Sequence, residues 1–267
     1  MKAFIDIYIQ QFKTSLAATL QYRASLAIWL IGHVLEPLVF LIVWSAVSNS
    51  SGGSVGGYTT SGFAAYFILL MLVNHVTYTW IMYEYEYRIR NGTLSFALLK
   101  PIHPIHSDIA DNVASKLITL PFMLVIAAIL ALAFHPLFSP SLWSLALVIP
   151  ALLLALLIRF LIEWTLAQAA FWTTRVSAIN QIYFVLMLFL SGQLAPLALY
   201  PAWIQNVALI LPFRWMISFP LQMLLGQLTP TQALTGLAIQ AAWVLVGFGL
   251  FRIVWRAGVR IYSAVGA

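Results

Sequence analysis

The chain alternates long apolar stretches with short polar or proline-bearing breaks. A spanning helix needs about 20 mainly apolar residues, and six stretches approach or exceed that length: 24–47, 62–83, 115–134, 143–172, 181–199 and 233–255. The breaks have local causes. SNSSGGSVGGYTTSG (48–62) is uncharged, flexible turn material, and HPLFSPS (135–141) sets two prolines between the third and fourth stretches. Pro140 suits a helix start just after Ser139, and Arg175 to Asn180 forms the turn before the fifth stretch. Ahead of the first stretch, Ile5, Ile9, Phe12, Leu16 and Leu20 recur every three to four residues, with Asp6, Gln10 and Lys13 on another face. That spacing predicts an amphipathic helix over 1–23 lying in a membrane interface; a plain extension of the first span is the open alternative. The fold predicted is all-α and membrane-integral, with one six-span domain over 24–267.

Composition removes the competing classes. Lys and Arg number 13, Asp and Glu 7, so charge is 7% of 267 residues where soluble domains carry roughly 25%. With 63% hydrophobic residues, a soluble domain of this size could not hide its apolar surface, and disorder needs the opposite composition. A soluble enzyme, a nucleic-acid-binding domain and a secreted scaffold are excluded together. The absence of cysteine rules out disulfides and Cys-ligated metal. No cleavable signal pattern opens the chain, because Lys2, Asp6, Lys13 and Arg23 interrupt any short apolar core.

The net charge of +6 is informative through its placement. With the N-terminus inside, Lys2, Lys13, Arg23, Arg88, Arg90, Lys100, Lys116, Arg175, Arg252, Arg256 and Arg260 fall on the cytoplasmic side, and Arg214 alone falls outside. That asymmetry predicts two cytoplasmic termini.

Two segments stand apart from the spans. In 84–116, Glu84 with Arg88 and Glu86 with Arg90 are acid-before-base pairs four residues apart, the favourable orientation on a helix. Span two should therefore run on as helix to Asn91-Gly92, a natural stop. TLSFALLK follows, apolar at Leu94, Phe96, Leu98 and Leu99, and Lys100-Pro101 ends it. Ser107 can cap the next helix, with Asp108 and Asp111 in its first turn. A short apolar-faced helix on charged struts either docks a soluble partner or lies back on lipid headgroups. The second segment, 190–232, contains Pro196, Pro201, Pro212, Pro220 and Pro230 yet stays apolar. Interior prolines forbid one continuous helix, and irregular backbone at membrane depth must be covered by protein or water. This predicts a broken, re-entrant pair of short helices at the outer face, with Gln193, Pro196 and Pro212 at its breaks and Arg214 beside Trp215 as an interface anchor. An apolar external loop packed on the bundle is the alternative.

Ionisable residues inside the spans are few, and each costs roughly 2.5–3.5 kcal/mol at a helix centre on insertion scales. Glu36 sits beside Pro37, one turn after His33; it lines a substrate path or binds a cation, or, with His33, contacts another helix of the same or a second subunit. Arg159 and Glu163 are four apart, the spacing of a local ion pair. Pro121 and Pro150 should bend spans three and four.

In the order of these features the chain resembles the permease subunits of type-2 ABC transporters, the small six-span kind served by a separate ATPase. The resemblance is carried by the amphipathic N-terminal segment, EPLVFLIVW (36–44), RNGTLSFALLKPIHP (90–104), LSGQLAPLALYP (190–201), LPFRWMISFP (211–220) and the Arg-rich end. It implies that the loop after span two holds a coupling helix that fits a groove on the ATPase. This maps onto Leu94, Phe96, Leu98, Leu99, Lys100 and Pro101, with Arg90 and Gly92 at its entrance. It also implies that 190–232 lids the exit of the path.

The residues agree that a motor is missing. A phosphate-cradling Walker loop needs Gly-Lys before Ser or Thr, and the lysines at 2, 13, 100 and 116 follow Met, Phe, Leu and Ser. ATP and magnesium are therefore expected on a partner ATPase dimer. No catalytic, cofactor-binding or metal-binding residue is assigned to this chain. The resemblance further implies a second permease, identical or related; a bacterial cytoplasmic membrane as location; and export of a hydrophobic or amphipathic substrate. Three other classes were weighed. A secondary transporter or channel would show midplane acids or inverted halves, and a hydrolase would need a G-x-S-x-G nucleophile; neither signal is visible. A haem-binding bundle would use His33 and His75 as facing axial ligands.

Overall fold

The computed structural model describes residues 2–21, 23–173 and 176–263. Arg175, counted above among the cations and in the turn before span five, lies outside the described residues, as do the side chains of Lys2, Ile5 and Arg23. Among the described residues the chain is helical almost throughout: α1 (Lys2–Gln21), α2 (Arg23–Ser50), α3 (Thr60–Thr77), α4 (Ile81–Arg90), α5 (Leu94–Leu98), α6 (Ile105–Phe134), α7 (Leu142–Ala167), α8 (Val176–Leu190), α9 (Ala202–Ile210), α10 (Phe213–Met216), α11 (Ser218–Leu224) and α12 (Pro230–Ile261). Five helical stretches are long and apolar enough to cross a membrane: Ile28–Ser50, Thr60–Arg90, Ile105–Phe134, Leu142–Phe171 and Pro230–Ile261. Helix α8, with 15 residues, is shorter.

Helix α3 is the axis of the bundle. Every residue from Phe63 to Met71 is buried, as expected of a helix apolar on all faces, and α2, α6, α7 and α11 pack around it. The helices around it keep an outward apolar face, shown by Leu35 and Ile42 on α2, Leu124 and Leu132 on α6, and Leu245 and Ile253 on α12. Bare apolar faces of this kind suit lipid. Helix α12 lies along α7, and three glycines eleven residues apart seat it against α11, α7 and the 3₁₀ turn at Gln168–Phe171. A Cβ on Gly236 would meet the Phe219 ring, one on Gly247 the Leu161 Cβ at 3.2 Å, and one on Gly258 the Phe171 ring at 2.2 Å. Eleven residues make close to three helical turns, so all three lie on one face.

Several expected boundaries move. The fifth stretch occupies 176–190 rather than 181–199: Gly192, at φ +90, ends the helix, and Tyr66 donates to its carbonyl at 2.7 Å. Span two does not run unbroken to Asn91; it breaks at Tyr78–Trp80 and resumes as α4. Helix α7 begins after Ser141, whose side chain accepts from Ser144 N, so Pro140 stands outside it. Helix α6 starts after Pro104, which places Ser107 inside the first turn instead of at the cap. Helix α12 begins at Pro230 rather than 233, where Thr229 and Gln232 form a reciprocal capping box. The glycine-rich 48–62 loop contains a small ordered hairpin, Ser54–Val55 against Tyr58–Thr59. Gly56 and Gly57, both at positive φ, supply the tight turn such a hairpin requires. Pro37, Pro121 and Pro150 all lie within continuous helices.

Candidate functional site

The 81–104 region is built outward from charge pairs. Arg88 bonds Glu84 at 3.1 Å and Asp108 at 2.6 Å, and Arg90 bonds Glu86 at 3.3 Å. Asp108 is the interior anchor: buried in the first turn of α6, it also accepts from Trp164 Nε1 of α7 at 2.8 Å. Charge-assisted bonds of this length are the strong ones, so α4 is tied to α6 and α7 at its base. Gly92, at φ +68, turns the chain into α5. The residues expected on the coupling helix then divide. Leu94 is fully buried and Leu98 half-buried against the core, whereas Phe96 is 71% exposed and Leu99 84%. Arg90, Lys100 and Pro101 are also exposed. Ser95 shares a hydrogen bond of 3.1 Å with Tyr262, just past α12. His103 packs at a tilt on Trp255 of α12, with ring centres 4.5 Å apart, and its Nδ1 accepts from Ile105 N at 3.2 Å. Burial, with His106 adding to it, lowers His103 to about 4, so the ring is neutral near pH 7.

The break at Tyr78–Trp80 lies over a buried ion pair. Arg159 Nε donates to Glu163 at 2.8 Å, and both side chains are buried. Arg159 Nη1 reaches Asn74 Oδ1 at 2.7 Å and Thr77 Oγ1 at 3.2 Å, and the guanidinium lies 5.1 Å from the Tyr78 ring centre. Glu163 accepts from Thr79 Oγ1 and from Tyr183 OH. One ion pair thus collects α3, the break, α7 and α8. Lys116 of α6 donates to the Tyr78 carbonyl at 2.5 Å, occupying an acceptor freed where the helix stops. The local Arg159–Glu163 pair was legible from spacing; the set of partners around it was not, because Asn74, Thr77, Thr79 and Tyr183 come from distant positions.

Beside this pair opens a cleft of about 320 Å³, lined by His33, Glu36, Asn74, Tyr78, Arg159, Phe184, Val185, Leu188 and Gln193. The structure therefore brings His33 and Glu36 together with Gln193, from the other region singled out in the sequence. Gln193 Nε2 donates to Asn74 Oδ1 at 3.4 Å. Glu36 is exposed on α2 and makes no hydrogen bond or salt bridge among the described residues. His33 packs on Trp29 at 3.9 Å and on Tyr78 at 4.6 Å, with His75 at 6.0 Å. His75 Nε2 shares a hydrogen bond with Thr119 at 2.9 Å. The histidines do face each other, but Trp29 and Tyr78 crowd one ring and Thr119 holds the coordinating nitrogen of the other.

The proline-rich 190–229 segment is broken into α9, α10, α11 and a 3₁₀ turn at Leu197–Leu199. Pro196 and Pro212 are buried at its breaks, while Gln193 and Arg214 are half-buried. Arg214 lies 5.8 Å from the Trp215 ring centre and bonds Gln222 at 3.4 Å. Side chains of the long helices satisfy the freed carbonyls: Gln240 donates to Trp215 O at 2.8 Å, also bonding Ala151 O of α7 at 3.1 Å, and Trp44 donates to Leu194 O at 2.9 Å. Ser144 bonds the carbonyl of Met223.

Among the described residues, a helical bundle with five stretches long and apolar enough to cross a membrane marks an integral membrane protein. The family model described as ABC-2 family transporter protein matches residues 34–266, and the chain belongs to that family. It is a type-2 ABC permease. The family is generally the non-catalytic membrane subunit, and membership implies an ABC ATPase as partner. No curated protein matches the chain.

Proposed function

We propose that this chain is one half of the translocation pathway of an ATP-driven ABC exporter for a hydrophobic or amphipathic substrate, coupled to a cytoplasmic ATPase dimer through residues 90–104. The carrying observation is the pair of large apolar side chains, Phe96 on α5 and Leu99 just past it, standing exposed while charge pairs fix α4 beneath them. ATP binding closes the ATPase pair; α5 takes up the movement, and α4 passes it through the Arg159–Glu163 node to α3, α7 and α8. Both termini are cytoplasmic in this reading, with a bacterial cytoplasmic membrane as the setting. Helix α1 lies in the interface ahead of a six-span domain, where Tyr8–His106 and Ser15–Asp111 bonds fasten it to α6. The 190–229 segment re-enters the outer face as a lid. His33 and Glu36 line the path or meet the second permease, identical or related, that completes it; ATP and magnesium are held by the ATPase.

The test is co-purification. The tagged chain, expressed with its native neighbours, should bring an ABC ATPase with it, and Phe96→Asp with Leu99→Asp should release that partner while the permease stays folded. Retention of the ATPase by the double variant would sink the docking assignment, and absence of any ATPase from the wild type would sink the exporter.

A further inference from the structure

We infer that the cleft between α2, α3, α7 and α8 binds a protonated amine, the head of an amphipathic cation. The inference rests on the reading above that this cleft lines the substrate path, and it adds the chemistry of the substrate. Glu36 and Arg159 are the charged residues of the cleft's lining. Arg159 is bonded to Glu163 at 2.8 Å and the nearby Lys116 to the Tyr78 carbonyl, which leaves the Glu36 carboxylate without a bonded partner among the described residues. Two of the three guanidinium nitrogens are already spent: Nε and Nη1 are taken by Glu163, Asn74 and Thr77, and the Tyr78 ring lies against the group.

What remains on the polar side is acceptor-rich. Glu36 has no bond among the described residues, and Gln193 spends its amide nitrogen on Asn74, leaving its carbonyl oxygen unbonded. Phe184, Val185 and Leu188 form the opposite, apolar wall. An ammonium group leaving water is strongly disfavoured unless it meets an anion and acceptors for its N–H bonds; this cleft supplies both beside room for an apolar tail. Its volume of about 320 Å³ lies in the range of small-molecule sites. A carboxylate ligand would meet Glu36 with like charge, and an alcohol would leave that charge unanswered.

The permease complex, with its second permease and ATPase, should be placed in phosphatidylcholine nanodiscs without nucleotide. It is then titrated with 4-phenylbutylamine, 4-phenylbutanol and 4-phenylbutyrate by ligand-observed NMR. The amine should bind about ten-fold tighter than the alcohol, the scale of one charge-assisted hydrogen bond, and the acid weakest. Glu36→Gln should erase the difference between amine and alcohol, and Glu36→Asp should keep it. Equal binding of amine and alcohol by the wild type overturns the inference without any variant, as does a preference that survives in Glu36→Gln. The path itself is read separately. In this cysteine-free chain, Leu188→Cys should react with a water-soluble maleimide in one nucleotide state and be shielded in the other. Reactivity that switches while amine and alcohol bind alike leaves the path standing and removes the amine. A cysteine never reached in either state removes the path.

Discussion

The 81–104 region and the 190–229 segment are both irregular stretches joining long helices, and they are held in place in opposite ways. The first is held at its base by charges, Arg88 between Glu84 and Asp108, and leaves Phe96 and Leu99 uncovered. The second holds a single charge, Arg214. Its carbonyls are met by Gln240, Trp44, Tyr66 and Ser144 reaching in from the long helices, and Pro212 to Met216 is buried apart from Arg214. The first leans on charge pairs anchored at the buried Asp108; the second leans on a lattice of neutral side chains. The contrast teaches that one segment is covered within the chain while the other leaves large apolar side chains bare.

That contrast can be broken, and the largest effect comes from the node between the two regions. Arg159→Leu should cost about 3–5 kcal/mol, because it leaves Glu163 buried without its cation. The thermal midpoint of the permease in nanodiscs reads this, and Arg159→Leu with Glu163→Leu should recover much of the loss. Recovery is the sharper result, since simple loss of packing would worsen in the double variant. Next, Gln240→Leu strips the Trp215 carbonyl of its side-chain donor and removes a second bond to Ala151 O; it should cost roughly 2 kcal/mol while leaving ATPase co-purification intact. If the ATPase is lost as well, the proline-rich segment and the loop are not separate units.

A smaller effect is expected from pH. The folded value of His103, about 4 against an ordinary 6.5, means the unfolded chain binds the proton more readily. Stability from this group is therefore full above about 6.5 and declines as pH falls toward 4. The midpoint should drop across that window, and less steeply in His103→Asn, which keeps an acceptor for Ile105 N. An equal slope in the variant would move the effect to other groups. Smallest of all, Phe96→Asp and Leu99→Asp should shift the midpoint by no more than about 0.5 kcal/mol, as substitutions of exposed residues do. A large shift would mean these side chains already have a partner within the chain.

Much of the architecture was legible from the sequence because its causes are local. Apolar runs marked the helices, the four-residue spacing of Glu84–Arg88, Glu86–Arg90 and Arg159–Glu163 marked three ion pairs, and five prolines marked a segment that could not be one helix. Other features were equally local but overridden by hydropathy: Ser191-Gly192 stops α8 at Leu190, and Thr229-Pro-Thr-Gln is a capping box that starts α12. The break at 78–80 had no such signal. VTYTW contains neither glycine nor proline, and the helix stops where Lys116, Arg159 and Glu163, from other helices, take up Tyr78, Thr77 and Thr79. Of the candidate site, the charged struts and the exposed tip were readable. The cleft was not, since Glu36, Asn74 and Gln193 meet only through packing, and the inward turn of Leu94 depends on which face of a five-residue helix meets the core.

The glycine row of α12 restricts how the bundle can move. With Gly236, Gly247 and Gly258 seated against Phe219, Leu161 and Phe171, α12 behaves as a keyed shaft. Turning it about its own axis would drive larger side chains into two rings and a leucine at three heights at once. Rolling is thereby closed off, and α12 can shift against its neighbours only by tilting or sliding. His103 and Ser95 touch the far end of that shaft, at Trp255 and Tyr262, which sets α5 beside its tip.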